Sequence, residues 1–179
     1  MSLLRFDSHR IIAWAVSGLA LLFPVVLACC GASDSLPGTS LGTYSVKGSV
    51  STNTCGASLG ATDPYEFDAL LSKDGTTLYW KYSDQSSYVS GTLDSSNNST
   101  IAVTTQAATD DSGTCIMSRT DTLVITLNSG TSPSAFTGTL SYAFSVANSS
   151  DCSSQLSASG GSYQTLPCTV TYALTATKK

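Results

Sequence analysis

The sequence predicts an all-β fold: an antiparallel meander of about eight strands closed into a small β-barrel, with a two-sheet β-sandwich as the alternative. Three observations carry this. Apolar and polar residues alternate with period two again and again from Tyr44 onward, as they do in a strand with one dry and one wet face. Only 11% of the 179 residues are charged, and Ser and Thr take the polar positions, which suits strands better than surface helices. No segment reads as a helix long enough for a parallel crossover, so consecutive strands pair as neighbours.

The elements follow in order. Short alternating runs occupy 44–50, 65–72, 77–82, 87–93, 99–105 and 116–127. Asp74-Gly75, between the second and third, is the strongest hairpin signal in the chain. In 135–147, Phe136, Leu140, Tyr142, Phe144 and Val146 share one face, and Thr137, Thr139, Ser141 and Ser145 the other. In 168–177, Cys168, Val170, Tyr172, Leu174 and Ala176 oppose Thr169, Thr171, Thr175 and Thr177. Gly48, Gly91 and Gly138 each fall on the apolar face within the pattern apolar, polar, Gly, Ser/Thr, apolar. Glycine there predicts a sharp bend of the sheet, or room for a large neighbour such as Trp80 or Tyr142. A membrane-spanning barrel would need longer strands and an apolar outer face.

The N-terminus carries a different message. Residues 1–10 are short and basic, and 11–28 are apolar with only Ser17 as a polar interruption, the layout of a secretory signal. Val26-Leu27-Ala28-Cys29 resembles the lipobox of bacterial lipoproteins. That resemblance implies cleavage after Ala28, diacylglyceryl modification of the Cys29 thiol and acylation, as by palmitate, of its new amine. Two or more chains hold a protein firmly to a membrane, where one gives reversible attachment. The absence of Asp after Cys29 points, within that family, to the outer membrane of a Gram-negative cell, on the periplasmic or the surface face. Cys30 matches the motif less well, and no role is assigned to it. Residues 29–42, rich in Gly, Ser and Pro beyond the cysteines, read as a lipidated flexible tether, and 43–177 as a single domain.

Cys55, Cys115, Cys152 and Cys168 remain. An exported chain meets an oxidising compartment, so they are disulfide candidates with three pairings open. The expected pairs are Cys152–Cys168, stapling the Ser/Gly-rich loop between the last two strands, and Cys55–Cys115. A four-thiolate zinc site would require reduced thiols and CxxC spacing, so no metal is expected.

The only histidine, His9, precedes the expected cleavage site. A mature domain without imidazole cannot build a Ser-His-Asp or Cys-His site, and no cofactor motif occurs. Once the signal's Arg5, Arg10 and Asp7 are removed, six basic and eleven acidic side chains leave a charge of −5, which disfavours nucleic acid as a partner. Glu66 and Asp68 alternate onto one strand face, about 6–7 Å apart, a spacing used in glycoside hydrolysis; Phe67 between them marks that face as the wet one. Asp110 and Asp111, with Asp121, are too few oxygens for a Ca²⁺ cage without an EF-hand loop. Asn97, Asn98 and Asn148 fit N-x-S/T, which means little in a bacterial host. The aromatics Tyr65, Phe67, Trp80, Tyr82 and Tyr88 gather around the central hairpin. Trp80, with Leu78 and Tyr82 on one face, then Phe67 and Tyr142, would pack a core or line an apolar or sugar-binding mouth. The leading expectation is a non-enzymatic, lipid-anchored structural or interaction module of the cell envelope, with an envelope protein or a small apolar ligand as candidate partner. A lipocalin-like carrier of a small apolar ligand comes second, and a carboxylate hydrolase third.

Overall fold

The alternation resolves into eight antiparallel strands wrapped into a nearly closed barrel. The computed structural model describes residues 35–109 and 113–179. The signal, the lipobox, Cys29, Cys30, Asp110 and Asp111 lie outside the described residues. The strands are β1 (Thr39–Asn53), β2 (Tyr65–Asp74), β3 (Thr77–Tyr82), β4 (Val89–Thr92), β5 (Asn98–Ala108), β6 (Ile116–Leu127), β7 (Ala135–Val146) and β8 (Cys168–Lys178). Their order in the sheet is β4-β3-β2-β1-β8-β7-β6-β5. Every strand but β4 and β5 pairs on both sides. An even number of strands lets β8 return antiparallel to β1, which puts the first and last strands in the middle of the sheet.

The last gap is narrow. β4 and β5 meet through one bridge, Leu93 to Ser99. The turn between them is held by Asp94, whose Oδ1 accepts the backbone N–H groups of Ser96 and Asn98, both at 2.8 Å.

The barrel has two unlike ends. β1 begins and β8 finishes at the base, together with the β2–β3, β4–β5 and β6–β7 connections. The opposite end, the mouth, carries 54–64, 83–88, 109–115 and 147–167, the first and last of these being the longest connections in the barrel. Thr39 to Gly42, expected in the tether, belong to β1. The Ser72 hydroxyl donates to the Pro37 carbonyl at 2.6 Å, so the preceding segment is docked on β2 as well. Pairing with β2 and this contact overcome the Gly/Pro-rich composition that marked the segment as flexible.

Two of the inward glycines explain how so small a barrel curves. A Cβ on Gly138 would fall 2.1 Å from the Val124 carbonyl oxygen, and one on Gly91 2.8 Å from that of Thr100. The Cβ at Gly138 would meet backbone, and that at Gly91 backbone together with the Ser99 and Ile101 side chains, of an adjacent strand and not Trp80 or Tyr142, so these glycines serve close strand approach. Gly138→Ala is therefore expected to lower stability by about 1–3 kcal/mol, the range for overpacking. Guanidinium unfolding of the two proteins checks it.

The disulfides differ from the expected pairs. They join Cys55 to Cys168 and Cys115 to Cys152. Strand register is the reason. Asn53 pairs with Val170 and the Thr54 amide donates to the Thr169 carbonyl, which carries Cys55 to Cys168. Met117 pairs with Val146, and the chain just outside that pair brings Cys115 to Cys152. Sequence proximity favoured stapling one loop; the mouth instead has two clamps, each tying neighbouring strands.

Candidate functional site

Inside the barrel, aromatic rings stack from base to mouth. At the base the Tyr44 hydroxyl donates to the Pro133 carbonyl at 2.6 Å, and its ring lies 5.3 Å from Phe136. Phe136 meets Trp80 at 5.8 Å, and Trp80 meets Tyr82 at 5.8 Å and Phe67 at 6.1 Å. Leu71, Leu78, Ile125, Val46 and Val170 fill the spaces between, all essentially out of water. Ring pairs at these separations prefer tilted and edge-on packing, and all four are so arranged.

Toward the mouth the same inward row turns polar. Tyr65 stacks against Phe67 at 4.9 Å and Tyr172 at 5.5 Å, and Tyr172 meets Tyr142 at 6.1 Å. Tyr65, Phe67, Tyr82 and Tyr142 are all only partly buried. On β6 the inward positions Met117, Leu123, Ile125 and Leu127 continue through Arg119 and Asp121. Two residues apart on a strand, these point to the same side. The Arg119 Nε and Nη2 donate to Asp121 Oδ1 and Oδ2 at 2.7 and 2.8 Å. The guanidinium carbon sits 5.3 Å from the centre of the Tyr142 ring, in cation–π range. The side chains are 33% and 31% exposed, so the pair is anchored yet reachable. Phe144 packs on Tyr163 at 5.3 Å, bringing the β7–β8 connection over the rim.

Tyr82 and Tyr142 sit on strands opposite each other in the sheet order, and their hydroxyls meet across the lumen. Burial, then the neighbouring Tyr65, hold Tyr82 protonated well above the ordinary tyrosine range; burial, then Tyr82 and Tyr65, do the same to Tyr142. The consequence for stability has a definite sign. A phenol with a raised folded-state pKa leaves stability intact below the unfolded value, 10.0, and weakens the fold as pH rises beyond it. Alkaline unfolding above about pH 10 is therefore expected to coincide with ionisation of these two phenols. Absorbance at 295 nm followed beside circular dichroism checks it, and Tyr142→Phe should soften the decline.

Of the residues expected to line a mouth, Trp80 belongs to the packed column and is 1% exposed, while Phe67, Tyr82 and Tyr142 do reach the rim. Tyr88 leaves the cluster: it is 49% exposed and packs on Tyr79 at 5.6 Å, beyond the four residues that form β4. Glu66 pairs with Lys47 and Asp68 with Lys179 on the exposed outer face, and Asp121 is engaged by Arg119. Among the described residues no group of three or more His, Cys, Asp or Glu could hold a metal. Asn97 and Asn148 adopt left-handed turn conformations, φ 60° and 54°. Arg119 was missed in the sequence because it interrupts an apolar row. The odd-numbered neighbours Met117 and Leu123 were the signal that it faces inward.

The chain matches no protein family, no characterised protein and no solved structure. The mouth must be read from its own chemistry. It offers hydroxyls, aromatic edges and one ion pair, with neither an imidazole nor a metal cage among the described residues.

Proposed function

We propose that this chain is a lipid-anchored envelope protein and a non-enzymatic interaction module, using its mouth to engage another envelope component. The observation that carries the reading is the arrangement of the two ends. The chain enters the barrel at the base, where Pro37 and Thr39 adjoin β2, so a tether from a lipidated Cys29 would hold the base toward the membrane. The Tyr65, Tyr82, Tyr142 and Arg119–Asp121 rim would then face away from it. Both disulfides lie at that rim and stiffen the connections there, which favours recognition by a preorganised surface. The aromatic column from Tyr44 to Tyr82, and the meeting of Tyr82 with Tyr142 across the lumen, count against a hollow carrier for an apolar ligand.

The test is the anchor. Intact mass of the membrane-extracted protein is expected to fit cleavage after Ala28 with acyl chains on Cys29, and Cys29→Ala should release the protein from the membrane fraction. An unmodified chain beginning at Met1 would sink the proposal.

A further inference from the structure

The hairpin of β5 and β6 leaves one strand edge without a partner, and its hydrogen-bond parity can be read directly. The Leu127 amide donates to the Asn97 carbonyl, and the Thr109 amide to the Cys115 carbonyl. In an antiparallel ladder this assigns the odd-numbered residues of β5 to β6 and turns the even-numbered ones away. Near the base these outward groups are used: Asn98 accepts from the Asp94 amide, and the Thr100 carbonyl faces Gly91. Beyond Thr100 the two strands part: β4 stays paired to β3 through Val89, and its one bridge to β5 is Leu93 to Ser99. Among the described residues no strand pairs with the outward groups of Ala102, Thr104, Gln106 and Ala108. Ala102, Val103, Thr104, Thr105 and Gln106 are exposed on both faces of the strand. The segment has no charge, proline or glycine, the devices that ordinarily protect such an edge.

We infer that this edge pairs with the same edge of a second copy, β5 against β5, about a two-fold axis at Thr104. The even-numbered amides and carbonyls that face outward are the ones such a pairing needs. Thr104 of one copy meets Thr104 of the other, Ala102 meets Gln106, and Val103 meets Thr105. No like charges oppose, and the Thr and Val pairs suit a sheet. A self-complementary patch is what a two-fold interface requires, and a neutral edge carries nothing to repel its own copy. The axis reverses the barrel, so the two bases point in opposite directions. Taken with the anchoring reading above, on which this step rests, the pair joins copies held on facing membrane surfaces rather than neighbours in one membrane.

Cysteine crosslinking of the full chain in a Cys30→Ser background tests the register. Thr104→Cys should give a covalent dimer with itself. Ala102→Cys should not, but should crosslink when mixed with Gln106→Cys. No Thr104 dimer, equal self-crosslinking at 102, or capture of a different protein in its place would overturn the pairing. Vesicles of neutral phospholipid carrying the lipidated chain should cluster, and those carrying Thr104→Pro should not. Clustering unaffected by that substitution would overturn it too, and crosslinking in detergent without clustering would overturn the facing-membrane orientation. Failure of the chain to float with the vesicles, with crosslinking retained, would reject the anchor and leave the pairing standing.

Discussion

Trp80→Ala is expected to remove about 3–5 kcal/mol of stability, the range for deleting a large buried aromatic. Three ring contacts run from this residue, to Phe136, Tyr82 and Phe67, so the cavity would open where the base column joins the mouth. The indole Nε1 is buried without a hydrogen-bond partner, which makes the contribution one of packing. Trp80→Phe should therefore recover most of the loss. Tyr88→Ala, at an exposed position, should stay within about 0.5 kcal/mol. Guanidinium unfolding with a constant slope measures all three. A loss at Trp80 no larger than at Tyr88 would mean that the column does not hold the barrel together.

The second large effect is expected at Cys55–Cys168. These residues are 113 apart in sequence, against 37 for Cys115–Cys152. The shorter link lies inside the longer, so the outer loop shrinks to 113 − 37 = 76 residues when both are closed. In the chain-entropy picture a loop of that length is worth about 4–5 kcal/mol and the inner one about 4 kcal/mol. The double serine variant at 55 and 168 should thus lose at least as much as that at 115 and 152. The outer bond also ties the first strand of the barrel to the last. Equilibrium unfolding of each double variant under oxidising conditions decides the order, and a clearly larger loss at 115 and 152 would reject the entropic account.

Much of the fold was legible because most strands have one wet face and one dry one. Alternation through Phe136, Leu140 and Tyr142, and through Val170, Tyr172 and Leu174, survives into the barrel as inward rows. Asp74-Gly75 is the turn it promised to be. What stayed hidden depends on register across the sheet. Cys55 lies beside Cys168 because β1 pairs with β8, and nothing near either cysteine in the sequence says so. The same holds for Tyr82 and Tyr142, whose meeting requires the barrel to be closed. Arg119 and Asp121 were obscured differently. Charged residues inside a strand read as a break in the dry face, whereas at a mouth the inward row is wet. The start of β1 was hidden by composition, since Gly42 and Pro37 look like linker until β2 lies beside them.

The ring of strands has its ends and its edges in different places. The first and last strands adjoin in the middle of the sheet, where the Lys179 amide bonds to the Thr43 carbonyl, and the two edge strands, β4 and β5, follow one another in the chain. Joining β8 to β1 and opening the chain between Ser95 and Ser96 would give a circular permutant running β5-β6-β7-β8-β1-β2-β3-β4. In that molecule sequence order and sheet order coincide, and the long separation between Cys55 and Cys168 collapses to a local one. Most of the distance the chain spans in closing its barrel is thus a matter of where it is cut.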